Sequence, residues 1–155
     1  MKLTTRGRYA VTAMIDLALH AKLDHVALAD VAERQQLSLA YLEKLFAKLR
    51  KAGLIVSVRG ARGGYRLARD EKTISLADIL AAAGESLNWA CGAGSKCNAQ
   101  DPCLTHDIWT SLSQEMVDFL RSKTLFSLAH TQQVQARATQ QEVKQIGNIP
   151  VEISA

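Results

Sequence analysis

The residues suited to the most specific chemistry lie in one short stretch. Cys91, Cys97, Cys103 and His106 are spaced as Cys-x5-Cys-x5-Cys-x2-His, and these are all three cysteines of the chain. An odd cysteine count gathered in one place does not suit a disulfide scaffold. It suits thiols that bind something or react in a reducing compartment. Three thiolates and an imidazole can close round one metal centre. Zinc takes such a set as a tetrahedron, but its knuckles usually bring two cysteines together as Cys-x2-Cys, and no such pair occurs here. Even five-residue gaps suit a larger object such as an iron–sulfur cluster. A redox thiol switch is a third reading. His106 alone would read as a helix-start residue that caps or pairs with Asp107; the nearby thiols turn it into a candidate ligand.

The elements around these residues must hold them in place. Asp101-Pro102 reads as a helix start, with Asp as cap and Pro in the first turn. Cys103 and His106 are then expected at i and i+3 on one face, with the helix N-terminus favouring a thiolate at Cys103. Cys91 and Cys97 sit in a loop, 86–102, that also carries Gly92, Gly94 and Ser95. The helix is expected to run to about Arg121 with Leu104, Ile108, Leu112, Met116, Phe119 and Leu120 near one stripe. About 18 residues reach roughly 27 Å, more than a small domain needs for its own core. A second copy of the chain is expected to cover that stripe, giving a homodimer.

Charge divides the 155 residues unevenly. Residues 1–72 hold 14 Lys and Arg against 7 Asp and Glu, and residues 73–155 hold 5 against 8. The first part therefore seeks a polyanion, with nucleic acid the foremost partner. Within it, helical spacing predicts helices over 7–21 (Val11, Met14, Ile15 and Ala18 inward), 28–35 (Val31 and Ala32 inward) and 39–51. Ser38 is expected to cap the third, whose core face carries Leu39, Leu42, Leu45, Phe46 and Leu49, and Gly53 to end it. Gln36 stands in the turn before it, where glycine is often wanted; a left-handed Gln36 would cost about 1 kcal/mol. Strands over 54–59 and 65–69 flank a Gly-rich turn that carries Arg62.

Three helices followed by a basic hairpin is the order of a winged helix-turn-helix. The third helix would present Ser38, Ala40, Tyr41, Glu43 and Lys44 to the major groove, with Lys48, Arg50 and Lys51 placed for phosphates. Glu43 either accepts from a base, typically cytosine N4, excludes wrong sequences, or is merely solvated. Arg59, Arg62, Arg66 and Arg69 flank the hairpin glycines and suit a minor groove. A short helix over 76–83 capped by Ser75 and another near 125–129 follow, and residues 131–155, with six Gln before 146, read as a mobile tail. The expected fold is mainly α with a small β hairpin: a winged helix-turn-helix domain over 1–72, a cluster-binding loop and long dimerisation helix over 73–130, and the tail.

The segment Leu37-Ser38-Leu39-Ala40-Tyr41-Leu42-Glu43-Lys44-Leu45-Phe46, with Leu49-Arg50-Lys51-Ala52-Gly53-Leu54, Ser57-Val58-Arg59-Gly60 and Gly63-Gly64-Tyr65, resembles the IscR family of iron–sulfur cluster assembly regulators. The opening Leu3-Thr4-Thr5-Arg6-Gly7-Arg8-Tyr9-Ala10 and the cysteine pattern ending in Leu104-Thr105-His106 are similar to that family too, so the likeness covers about 1–130. It implies a 2Fe-2S cluster held by Cys91, Cys97, Cys103 and His106, supplied by a cluster-assembly scaffold. It also implies a homodimer on palindromic double-stranded DNA, repressing cluster-assembly genes when loaded and binding a second class of site when empty. A nearby branch senses nitric oxide with a similar cysteine set and an acidic ligand near the N-terminus; here that region offers Arg6 and Arg8, and His106 is present. Ala40 departs from the serine often found there.

Other classes fit less well. An iron–sulfur carrier would dock an acidic partner through the basic part, and a zinc-stabilised or redox-sensing regulator would keep the fold. An enzyme lacks support, since no triad pattern, phosphate loop or paired carboxylates occur. With mean hydropathy of −0.03 and no apolar run near 20 residues, no membrane span is expected. The opening Met1-Lys2-Leu3-Thr4-Thr5-Arg6 does not read as a signal peptide, so a cytoplasmic protein is expected.

Overall fold

A computed structural model describes residues 3–21, 25–60, 63–88, 97 and 102–147. Its elements are α1 (Thr5–His20), α2 (Leu28–Gln35), α3 (Leu39–Lys51), β1 (Ile55–Val58), β2 (Gly64–Leu67), α4 (Leu76–Ala83), α5 (His106–Ser122), α6 (Leu125–Ala129) and α7 (Gln132–Gly147). The fold is mainly helical with one small antiparallel sheet, as the sequence predicts.

One apolar cluster joins α1, α2, α3, β1, α4 and α6. Met14, Leu17, Val31, Leu42, Phe46, Leu49, Ile55, Ile74, Ile79 and Leu125 are all buried in it. Each buried side chain of this size stabilises the fold by about 1.5–3 kcal/mol before chain entropy is counted. The expected inward faces hold for Met14, Ala18, Val31, Leu42, Leu45, Phe46 and Leu49, while Val11, Ile15 and Ala32 are half-buried. Leu39 departs from its expected place: at 43% exposed it belongs to the outer face of α3. It is the first residue of that helix, where the inward stripe has not yet met the core.

Local chemistry explains most boundaries. Helix α1 starts two residues earlier than expected because the Thr4 hydroxyl accepts the Gly7 N–H at 3.4 Å. Ser75 and Asp78 form a reciprocal capping box on α4, and Thr124 and Ser127 do the same on α6. Ser38 occupies the cap position of α3, but its side chain makes no capping bond. Gln36, with φ +53, is left-handed and is the one non-glycine residue with positive φ among those described. β1 and β2 pair from Ile55↔Leu67 to Val58↔Gly64, so the second strand ends at Leu67 and not Arg69. Gly64 is needed here: a Cβ would fall 2.4 Å from the Val26 carbonyl oxygen. That approach lets Val26 and Tyr65 exchange backbone hydrogen bonds of 2.9 Å each, tying the link after α1 to the wing.

Two expectations about the C-terminal part need correction. The long helix begins at His106, not Cys103, and Thr105 is its cap residue. Leu104 therefore lies outside the helix and is fully exposed. Of the stretch 131–155, read as a mobile tail, Gln132–Gly147 forms α7 and 148–155 lies outside the described residues. Its sequence lacks apolar periodicity, but Gln, Ala, Arg, Glu and Lys are good helix formers. Tertiary contacts complete the case: the Gln35 amide donates to Gln141 Oε1 at 3.2 Å, and Glu142 Oε1 lies 3.3 Å from His20 Nε2.

These contacts continue inward. Asp16 in α1 is 1% exposed and accepts from Arg34 Nε (3.0 Å), Arg34 Nη2 (2.7 Å) and Gln35 Nε2 (2.7 Å) in α2. One buried carboxylate thus fixes the first helix of the helix-turn-helix pair against α1.

Candidate functional site

The candidate DNA-reading surface follows from α3. Its inward residues enter the core and leave Ser38, Ala40, Tyr41, Glu43, Lys44, Lys48, Arg50 and Lys51 on the open side, all exposed. The Tyr41 ring meets the edge of Tyr9 at 5.8 Å, which orients it. Glu43 has no ion-pair partner among the described residues, so its carboxylate is available to a ligand or to water. The Lys48 ammonium sits beside Gly84 at the end of α4, 3.7 Å from where a Cβ would be. Arg59 is exposed at the end of β1 and Arg66 on β2, while Arg69 lies 3.8 Å from Asp78. Arg62 lies outside the described residues. The exposed groups form one basic face, with the single carboxylate of Glu43 on α3 within it.

The second surface surrounds the cysteines. Cys97 Sγ and His106 Nδ1 meet at 3.1 Å, and the Cys103 backbone N–H donates to Cys97 Sγ at 3.2 Å. The His106 N–H donates to the Cys103 carbonyl at 3.0 Å, so a turn, not a helix, brings Cys103 toward His106. Cys103 therefore stands ahead of the first turn of α5, which corrects the expected shared helical face. Its sulfur faces the Thr105 hydroxyl at 3.7 Å. That hydroxyl also accepts the Trp109 indole N–H at 3.0 Å. Cys91 and Asp101 lie outside the described residues. Among the described residues, no three His, Cys, Asp or Glu side chains close on one point. The thiol and imidazole donors are nonetheless the soft and borderline set that iron–sulfur centres and zinc take, and two of them already converge.

Sequence reasoning did not single out Thr105 or Trp109 as members of this site. The signal was there in Cys103-x-Thr105-His106-x2-Trp109, a hydroxyl and an indole interleaved with two candidate ligands. It also missed the anchor of the loop's first residues. The Thr4 hydroxyl donates to Glu85 Oε1, and Arg6 Nη2 donates to the Gly84 carbonyl at 3.0 Å. The chain that enters the cysteine loop is therefore fastened to the start of α1.

Helix α5 buries only Ser113. Ile108 (63% exposed), Leu112 and Phe119 (58% exposed) line an open apolar face. Beside it, Val11 of α1, Leu76 and Leu80 of α4, and Met116 and Leu120 of α5 border a groove of about 770 Å³. Among the described residues, no helix is long and apolar enough to cross a membrane.

Comparison with known proteins places this arrangement. Residues 3–131 match the Rrf2 family, described as iron-dependent transcriptional regulators. The chain is 49% identical over 144 residues to the HTH-type transcriptional regulator IscR of Vibrio vulnificus (strain YJ016), covering 92% of this chain and 86% of that one. Its fold is similar to the structure of T. potens IscR, with a TM-score of 0.67, 40% identity and coverage of 83% and 85%. It is also similar to CymR (YrzC), the global cysteine regulator of B. subtilis, with a TM-score of 0.72, 32% identity and coverage of 83% and 96%. The family and the IscR relatives are named as transcriptional regulators. The chain belongs to the Rrf2 family and is a winged helix-turn-helix transcriptional regulator of the IscR type.

Proposed function

We propose that the protein reports iron–sulfur supply to the genes that meet it. In this reading Cys91, Cys97, Cys103 and His106 hold a 2Fe-2S cluster delivered by an assembly scaffold. A homodimer reads a palindromic operator with two copies of α3 and the wing, and loaded protein represses cluster-assembly genes. Cluster-free protein keeps affinity for a second class of site. The single observation that carries the reading is the meeting of Cys97 Sγ and His106 Nδ1 at 3.1 Å at the head of α5. Once bound, the group supplies a weakly held, supply-dependent charge, because a neutral imidazole replaces one of four thiolates.

The remaining work falls to the chain. The Thr4 and Arg6 contacts hold Gly84 and Glu85 at the entry to the loop, so a group bound by the cysteines acts on a fixed base. Helix α4 ends there and packs against both α1 and α3, which places that base on the frame of the recognition helix. The open face of α5 gives a second copy an apolar surface to cover, in keeping with half-sites about one DNA turn apart. The cytoplasm is the compartment in which such thiols stay reduced.

One experiment tests the centre. Protein prepared without oxygen is expected to show visible iron–sulfur absorbance with two iron and two sulfide per chain, and His106→Ala to lose most of it. Colourless protein that holds zinc would overturn the cluster reading. Loaded and empty protein, run on one panel of duplexes, should differ in site preference; identical preference would remove the switch.

A further inference from the structure

Thr105 lies between two residues of the candidate centre, and its hydroxyl joins Cys103 to Trp109. The indole N–H of Trp109 can only donate, so at 3.0 Å the Thr105 oxygen must be its acceptor. The hydroxyl then has one proton left to give. Cys103 Sγ, 3.7 Å away, is within reach of an O–H···S bond, and as a thiolate it can only accept. The three groups thus form a directed chain, from indole N–H to hydroxyl to sulfur. Thr105 also caps α5 by position without any side-chain capping bond, so its hydroxyl is not engaged in holding the helix.

We propose that Thr105, held by Trp109, is a positioning residue that donates a hydrogen bond to the Cys103 sulfur and tunes the centre bound there. The inference rests on the reading of Cys103 as a cluster ligand. A hydrogen bond to a ligating sulfur withdraws electron density and favours the reduced, more negative state. Removing it should therefore lower the reduction potential. The indole supplies the directionality: with its oxygen occupied by Trp109, the Thr105 hydroxyl turns its proton toward the sulfur.

The test uses full-length protein reconstituted with iron and sulfide without oxygen, comparing the parent with Thr105→Val, Thr105→Ser and Trp109→Phe. Thr105→Val keeps the shape and loses the hydroxyl. It is expected to shift the one-electron reduction equilibrium about tenfold toward the oxidised state, which is about 59 mV downward. Thr105→Ser should stay near the parent, and Trp109→Phe should move in the same direction as Val by less. In cluster-free protein, Thr105→Val should also move the Trp109 indole N–H resonance and speed its exchange, and Thr105→Ser should not. A Val variant that binds no cluster while Ser does would likewise support the hydroxyl's role. Equal potentials in the parent and Thr105→Val, or loss of the cluster in both Val and Ser, would overturn the proposal and leave the cluster reading standing. A parent that takes up no iron–sulfur centre would instead overturn that reading, and this one with it.

Discussion

Removing the Arg34 guanidinium should destabilise the helix-turn-helix frame far more than a surface substitution would. Asp16 is buried, and the Arg34 side chain that pairs with it is only 9% exposed. Two of the three side-chain hydrogen bonds to the carboxylate come from Arg34, at 3.0 and 2.7 Å. Arg34→Met keeps most of the stem's packing and strands a buried charge. Breaking a buried pair in this way costs about 3–5 kcal/mol. For a chain of this size that corresponds to a fall in Tm of about 6–20 °C. The double variant Asp16→Leu with Arg34→Met removes both charges, and Gln35 still keeps Gln141 as a partner. It should recover at least half of the loss. Urea unfolding at one fixed protomer concentration measures both variants, since dimerisation would otherwise shift the midpoint. The exposed residues of α3 are untouched, so the salt slope of DNA binding should be unchanged even if affinity falls. A loss below about 1 kcal/mol in Arg34→Met, or an equal loss in the double variant, would refute the argument that an uncompensated charge is the cause.

Further outcomes follow from the surfaces. Arg50→Ala should weaken binding evenly across duplexes and reduce the slope of log K against log salt by about 0.9 if Arg50 contacts one phosphate; Glu43→Ala should leave that slope alone and relax discrimination at one base pair by about 1–3 kcal/mol, read from a mismatch panel. Phe119→Glu places a charge on the open face of α5 and should shift sedimentation toward monomer, with half-site binding retained at lower affinity. Gln36→Gly should raise stability by up to about 1 kcal/mol in urea titrations, because the left-handed φ of +53 no longer opposes a Cβ.

The helix-turn-helix was legible because its signals are local and agree. Helix α2 and α3 boundaries and the α4 cap at Ser75 follow from residue chemistry within a few positions. The parts that were not legible depend on contacts distant in sequence. The partner of Asp16, Arg34, lies eighteen residues later, so no local signal pairs them. Helix α7 has no inward stripe to read, and its helical form comes with docking on Gln35 and His20. At the candidate centre, the start of α5 could not be read. Asp101-Pro102 is a sound helix-start signal, yet Cys103 and Leu104 are turned aside ahead of the helix. Cys103 instead gives its N–H to the Cys97 sulfur and its carbonyl to His106.

That displacement matters for how the two surfaces can communicate. Had Cys103 been part of α5, a ligand on it would have pulled directly on the long helix. Standing outside the first turn, it bonds to Cys97 on one side, and His106 together with Trp109, through Thr105, carries the site into α5. Two routes then leave the site. One runs through His106 and the open face of α5 to whatever covers that face. The other runs back along the loop to Glu85, where Thr4 and Arg6 fasten the chain to α1 and Lys48 of α3 stands beside Gly84. The described end of the second route, Gly84 and Glu85, lies against Arg6 of α1 and Lys48 of α3, whereas the first would reach DNA only through a partner copy. In the proposed reading, a change in site preference within one protomer would act through Gly84 and Glu85, and a change in the spacing of two half-sites would act through α5.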